Sequence, residues 1–306
     1  MKEDIRNRLL EAGASSVGFS SAGNIDQAVA ENFDRLIGEG WHGEMSYLSR
    51  HAELRKNTGH ILSGASTVIS LAFGYRPSEW LPEGKPMIAS YAYGDDYHVV
   101  IREKLFPVIK SIQDVYGGKW RLCIDSAPLS ERYWAVTSGI GIRGLNGAVI
   151  TPQNGCLCFL AEILTTLSIE SDRPMTGDCG KCGRCLDACP AGALNGDGMV
   201  TAKKCINYLT IEKKGEFTEE EKKLLRKDGG YLYGCDRCLR VCPHNQGEGH
   251  DVTSVFCLRE EIASLTPEKI MEMDEEEFKR IFKRSPLLYA GYERLRRNAS
   301  VLLNRY

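Results

Sequence analysis

No stretch of the 306-residue chain approaches the roughly 18 consecutive apolar residues of a membrane-spanning helix, which argues against an integral membrane protein. A secretion signal is missing too. Met1-Lys2-Glu3-Asp4-Ile5-Arg6 carries charges of both signs where a signal peptide has a basic and then an apolar segment, so a cytoplasmic location is expected. There is no low-complexity tract, and 42% hydrophobic with 26% charged residues argues against disorder and against a fibrous protein. Charge of one sign is also lacking: a formal net charge of −2 gives the whole molecule no pull on nucleic acid and leaves only a local basic patch for that purpose. Gly139-Ile140-Gly141-Ile142-Arg143-Gly144 has the letters of a dinucleotide fingerprint. It precedes an expected strand rather than following one, so it reads as a turn or as a backbone approach to a ligand.

What the chain does have is length for about two domains at roughly 150 residues each, and 12 cysteines. In a reducing compartment such cysteines point to metal ligands or catalysts rather than disulfides. Residues 1–170 alternate between helical and strand patterns. Helical spacing at Ile5, Leu9, Leu10 and Ala12, across 25–36 and across 99–115 (where Pro107 predicts a kink or a start) is interleaved with strand-like runs at 16–19, 67–73, 121–124, 148–151 and 160–164. This alternation predicts an α/β domain with a mixed sheet. Gly, Asp and Pro cluster at 171–178 and mark a boundary, after which 171–250 is a loop-rich cysteine module that needs a cofactor to organise it. The segment 251–306 reads as helical, with helices over 267–273, 275–282 and 292–304; a further helix at 218–227 falls inside the cysteine module.

The cysteine spacing is the strongest signal. Cys179, Cys182, Cys185 and Cys189, followed by Pro190, spell C-x2-C-x2-C-x3-C-P, the ferredoxin run for a [4Fe–4S] cluster. Cys235, Cys238 and Cys242, followed by Pro243, repeat its last three ligands; the first would fall on Leu232, and Cys205 is the substitute. In two-cluster ferredoxins the fourth cysteine of each run crosses over. One cluster is therefore assigned Cys179, Cys182, Cys185 and Cys242, and the other Cys189, Cys205, Cys235 and Cys238. Zinc is the alternative, but its sites usually pair two C-x2–4-C units. Cys123, Cys156, Cys158 and Cys257 read as small buried residues.

Further motifs carry a family resemblance. They are Ser90-Tyr91-Ala92-Tyr93-Gly94-Asp95-Asp96-Tyr97-His98, Asp125-Ser126-Ala127-Pro128-Leu129-Ser130-Glu131-Arg132-Tyr133-Trp134-Ala135-Val136 and Phe159-Leu160-Ala161-Glu162-Ile163-Leu164. Cys205-Ile206-Asn207-Tyr208-Leu209-Thr210-Ile211-Glu212, Gly234-Cys235-Asp236-Arg237-Cys238 and Leu295-Arg296-Arg297-Asn298-Ala299 complete the set. Together with the cysteine runs, these resemble epoxyqueuosine reductase, a cobalamin-dependent iron–sulfur enzyme of queuosine synthesis in tRNA, in a short form without the C-terminal helical-repeat extension. The resemblance implies that residues 1–170 hold cobalamin and substrate, that the 171–250 module is ferredoxin-like, and that Asp125 donates a proton beside the cobalt. It further implies cobalamin contacts at Asp236 and Arg237, and pocket residues at Tyr97 and Asn207. A protonated carboxyl would help an epoxide oxygen leave, and a desolvated site can keep that proton near neutral pH. His98 and His244 read as hydrogen-bonded histidines near the surface.

Two positions depart from the family pattern: Ile142 stands where it has Trp and Leu145 where it has Lys. They suggest, as a runner-up, a paralogue reducing another substrate; a non-catalytic two-cluster electron carrier is the second alternative. A tRNA partner needs phosphate contacts, and eight Lys or Arg residues lie between Lys279 and Arg305 against the single acid Glu293. That run is either a tRNA footprint or a solvated helix face balanced by Asp274–Glu277. An external electron donor, no membrane partner and a monomer complete the expectations.

Overall fold

The computed structural model describes residues 1–82, 84–246 and 254–304. The expected boundary at 250/251 and Arg305 of the basic run lie outside the described residues. Eight strands occur among them: β1 (Ser16–Ser21), β2 (Thr67–Gly74), β3 (Met87–Ile88), β4 (Trp120–Cys123), β5 (Ile142–Arg143), β6 (Val149–Ile150), β7 (Cys158–Thr165) and β8 (Tyr231–Tyr233). Four of them form the central sheet in the order β1-β2-β7-β4. The apolar run of β2 is buried from Thr67 to Phe73, as expected of a strand covered on both faces. Ile5 and Leu9 of helix Lys2–Glu11 and Ile101, Leu105 and Ile112 of helix Tyr97–Tyr116 join Phe19, Ile69 and Ile163 in one core.

The expected alternation of helix and strand is present, but the sheet is not mixed. All three of its pairings are antiparallel, with Ser16 opposite Ala72, Ser70 opposite Glu162 and Cys123 opposite Glu162. Alternation alone leaves direction open. A single crossover helix forces parallel strands, whereas β1 and β2 are separated by several short helices that bring the chain back from the same end. Helix Tyr97–Tyr116 continues past Pro107, which lies on its exposed face. The expected strand at 148–151 shrinks to β6, paired with β5 in a two-residue ribbon. Gly141 is required there, because a Cβ would stand 2.6 Å from the Ile150 carbonyl oxygen.

A second core ties the chain's two halves together. Parallel pairing of β3 with β8 brings residues 87–88 to the cysteine module. Ile88 and Tyr93 then pack with Tyr233 and with Phe278, Phe282, Leu295 and Leu302 from the C-terminal helices. Each cysteine run contains a one-turn helix before its last cysteine, Arg184–Asp187 or Arg237–Arg240, and these two lie against each other.

Candidate active site and cluster cavities

Asp125 follows directly on β4, at the sheet's edge, with φ of 49°, a left-handed conformation uncommon outside glycine and frequent at functional sites. Its backbone N–H donates to Glu131 Oε1 at the start of helix Glu131–Thr137. The carboxylate side chain is 63% exposed. Tyr97 Oη donates to its Oδ2 at 2.7 Å, and His98 Nε2 lies 3.6 Å from the same oxygen. Asp96 caps helix Tyr97–Tyr116 by accepting the His98 backbone N–H, and its Oδ1 lies 2.8 Å from His98 Nδ1. One imidazole thus sits between two carboxylates. Burial pulls His98 down, but hydrogen bonds to Asp125 and Asp96 outweigh it and bring the group up to about 9. Burial pushes Asp125 up, while hydrogen bonds from His98 and Tyr97 overcome it and hold the carboxyl below its usual value. These shifts favour a charged His98 beside an Asp125 carboxylate.

Two further carboxyls were not singled out in the sequence. Burial first, and then the charge of Asp125, push Glu131 up to about 8. Glu162 of β7 is 0% exposed with neither carboxyl oxygen hydrogen-bonded among the described residues. Burial, aided by the charges of Glu131 and Asp125, pushes it well above its ordinary value. The available signal was the position of Glu131 six residues after Asp125 and of Glu162 at mid-strand, where a charged residue needs a reason.

The eight cysteines fall into two groups. Cys179, Cys182, Cys185 and Cys242 line one cavity together with Gly144, Leu145, Asn146, Ile150 and Gly183. Cys189, Cys205 and Cys235 act on one another electrostatically: burial and then the neighbouring Cys205, Asp236 and Cys189 push Cys235 up to about 12, and Cys238 is raised by burial, Cys235, Cys205 and Cys189. Among the described residues no three Cys, His, Asp or Glu side chains converge tightly enough for a single metal ion. Thiols spread around a cavity suit a cubane cluster, whereas zinc needs four ligands within about 2.3 Å of one point. Cys242 accepts a hydrogen bond from Cys156 and is lowered to about 6 chiefly by it, which favours the thiolate a ligand must be.

The remaining predicted residues separate. Tyr97 stacks on Phe159 with ring centroids 4.2 Å apart, and Phe159 meets Tyr75 at 4.4 Å. Asp236 is 2% exposed and its carboxylate accepts the Ser90 N–H, tying the second cysteine run to the motif that leads into Tyr97 and His98. Arg237 donates to Tyr231 Oη and pairs with Asp228, each at 3.0 Å. Asn207 is exposed and lies against Gly234. His244 Nε2 is 3.1 Å from the Cys179 carbonyl oxygen, beside the first cysteine group. Ile142 packs in the apolar cluster of Cys156 and Cys242, and Leu145 lines the first cavity.

A profile described as "4Fe-4S double cluster binding domain" matches residues 178–245. A second, "Epoxyqueuosine reductase QueG, DUF1730", matches residues 55–126. The chain is 35% identical over 305 residues to an epoxyqueuosine reductase of Cyclobacterium marinum, across 97% of this chain and 96% of that protein. It is 32% identical over 297 residues to the one from Escherichia coli, across 94% of this chain and 78% of that protein. The epoxyqueuosine reductase structure from Streptococcus thermophilus superposes with a TM-score of 0.87 at 29% identity, covering 99% of this chain and 80% of that one. A crystal structure of epoxyqueuosine reductase with a tRNA-Tyr epoxyqueuosine-modified tRNA stem loop gives 0.86 at 30% identity, again over 99% and 80%. Similarity that runs from end to end, and takes in both the Asp125 segment and the cysteine runs, places this chain in the epoxyqueuosine reductase family.

Proposed function

We propose that the chain reduces epoxyqueuosine in tRNA to queuosine, with electrons entering from an external donor through two [4Fe–4S] clusters and with cobalamin as the reducing cofactor. The observation that carries this reading is the Asp125 carboxylate, held by Tyr97 and His98 in the same protein as two groups of four cysteines. The cluster ligands are the two groups named above. For cobalamin, Tyr97, stacked on the buried Phe159, offers an apolar ring face beside Asp125, and the buried Tyr75 behind Phe159 is close enough to Asp236 and Cys238 to feel their charge. Tyr97, Asn207 and Arg237 would hold it, with Asp236 fixing that face from behind through Ser90. Bound there, cobalamin supplies the strongly reducing, nucleophilic metal that no side chain provides.

The chain's own residues manage protons and orientation. Turning an epoxide into an alkene and water consumes two electrons and two protons. Asp125 takes a proton from His98 Nε2 and passes it to the leaving oxygen, while Tyr97 Oη fixes the carboxylate's direction. Glu131, neutral at pH 7 and joined to the Asp125 backbone, holds a second proton within the site. The modified base must leave its stack to arrive there. Since Leu145 lines the first cluster cavity and Ile142 packs against Cys156 and Cys242, neither supports the paralogue reading at the substrate.

The test is anaerobic turnover of epoxyqueuosine-containing tRNA by cluster-replete protein, with and without cobalamin, read by nucleoside mass spectrometry. Queuosine should form only with cobalamin, and Asp125→Asn should slow it on the order of 10²–10⁴-fold with iron content unchanged. Full turnover by Asp125→Asn would sink the proton-donor role; cobalamin binding without queuosine would sink the substrate.

A further inference from the structure

Cys156 is 3% exposed and precedes β7. It belongs to neither cysteine run, yet its Sγ–H donates to Sγ of Cys242 at 3.5 Å. Two buried asparagines fix it in that position. Asn245 Oδ1 accepts the Cys156 backbone N–H at 2.7 Å and Asn146 Nδ2 donates to its Sγ at 3.6 Å, which directs the thiol proton toward Cys242. Gly155 permits the approach: at φ of +55°, a Cβ would stand 2.2 Å from Asn245 Oδ1. A small buried residue needs none of these polar constraints.

We propose that Cys156 is a positioning residue that tunes the cluster of Cys179, Cys182, Cys185 and Cys242 by donating its thiol proton to the Cys242 sulfur. Reducing a [4Fe–4S] cluster adds negative charge that spreads onto its sulfurs, so a donor aimed at one of them stabilises the reduced form and raises the potential. Cys182 of the same group is exposed, whereas the second group lies toward Asp236 and Tyr75. A raised potential on the outer cluster makes it the better acceptor for electrons arriving from outside.

The inference rests on Cys242 being a cluster ligand, and the experiment separates the two claims. Anaerobic redox titration followed by electron paramagnetic resonance reads the midpoint of each cluster in wild type, Cys156→Ala and Cys156→Ser, with iron content measured alongside. In Cys156→Ala the outer cluster should move to a more negative midpoint while the other stays, and Cys156→Ser, which retains a donor, should recover most of the shift. Unmoved midpoints in Cys156→Ala, with Cys242→Ala losing one cluster, overturn the tuning role alone. Loss of a cluster in both Cys156 variants makes Cys156 a ligand and overturns it as well. A full iron complement in Cys242→Ala removes the acceptor and overturns both claims.

Discussion

Asp96 and Asp125 reach His98 from opposite ring nitrogens, and the charge of that imidazole decides where the site keeps its proton. Because the folded protein brings His98 from 6.5 to about 9, its ion pairs stabilise the fold fully below pH 6.5, and that contribution fades as pH rises through 9. Turnover shares the sign: with His98 deprotonated, Asp125 loses its proton source, so kcat/KM falls above pH 9. His98→Gln removes both effects. Its pH–rate profile should lose the limb near 9, keeping the one near 8 that Glu131 gives, and run below wild type at pH 7, and its urea midpoint should drop less between pH 6.5 and 9.5 than that of wild type. A wild-type fall near 9 that persists in the variant assigns the titration elsewhere. Asp125 and Tyr97 were legible as motif residues, but their contact spans 28 positions and exists only once β4 and helix Tyr97–Tyr116 are side by side. The sequence offered His98 only as a hydrogen-bonded histidine for the same reason.

Helix Tyr292–Leu303 shows how an element can carry a motif for structural ends. Asn298, inside the Leu295–Ala299 motif, is 0% exposed, and its Nδ2 donates to the carbonyls of Thr210 at 2.8 Å and Leu232 at 3.0 Å. It thereby clamps helix Ile206–Ile211 and β8, the elements flanking Cys205 and Cys235. Asn298→Ala leaves two buried acceptors without this donor and should destabilise the fold by about 2–3 kcal/mol, read as a lower urea midpoint at unchanged slope. Asn298→Asp should do no better, since a carboxylate has nothing to donate. A variant as stable as wild type would show that the clamp is dispensable. Elements of this kind were readable where periodicity is long: spacing predicts 292–304, 67–73 and 267–273 against Tyr292–Leu303, Thr67–Gly74 and Pro267–Glu272. Strand direction was not readable, since apolar alternation says which face is buried and nothing of which end the chain returns from. The β5–β6 ribbon escaped because two residues a side carry no periodicity.

Across the whole molecule, a net charge of −2 does not describe where positive charge is free to act. Lys279 pairs with Glu275 at 2.7 Å, Arg280 with Glu277 at 3.4 Å, and Arg284 with Asp95 and Glu103 at 2.9 and 3.0 Å. Arg294 and Arg297 spend donors on the carbonyls of Ile211, Lys213 and Leu209. The first half of the C-terminal basic run is thus a balanced helix face, and the second half buttresses the cysteine module. A shallow groove nonetheless gathers Lys214, Lys222, Arg226 and Arg296 beside those two arginines. Lys214 lies two residues after Glu212, which accepts from Tyr47 and Tyr289, and both hydroxyls feel the charge of Asp125. A tRNA backbone lying in this groove would pass Lys214 on its Glu212 side. Each phosphate contact releases condensed counterion, so removing one flattens the dependence of log K on log salt by about 0.7–0.9. Lys214→Ala should weaken binding of epoxyqueuosine-containing tRNA with that change of slope, whereas Lys279→Ala, already neutralised by Glu275, should leave affinity and slope as in wild type. Filter binding from low to physiological salt reads both, and an unchanged slope in Lys214→Ala together with a flattened one in Lys279→Ala would move the footprint to the helix face.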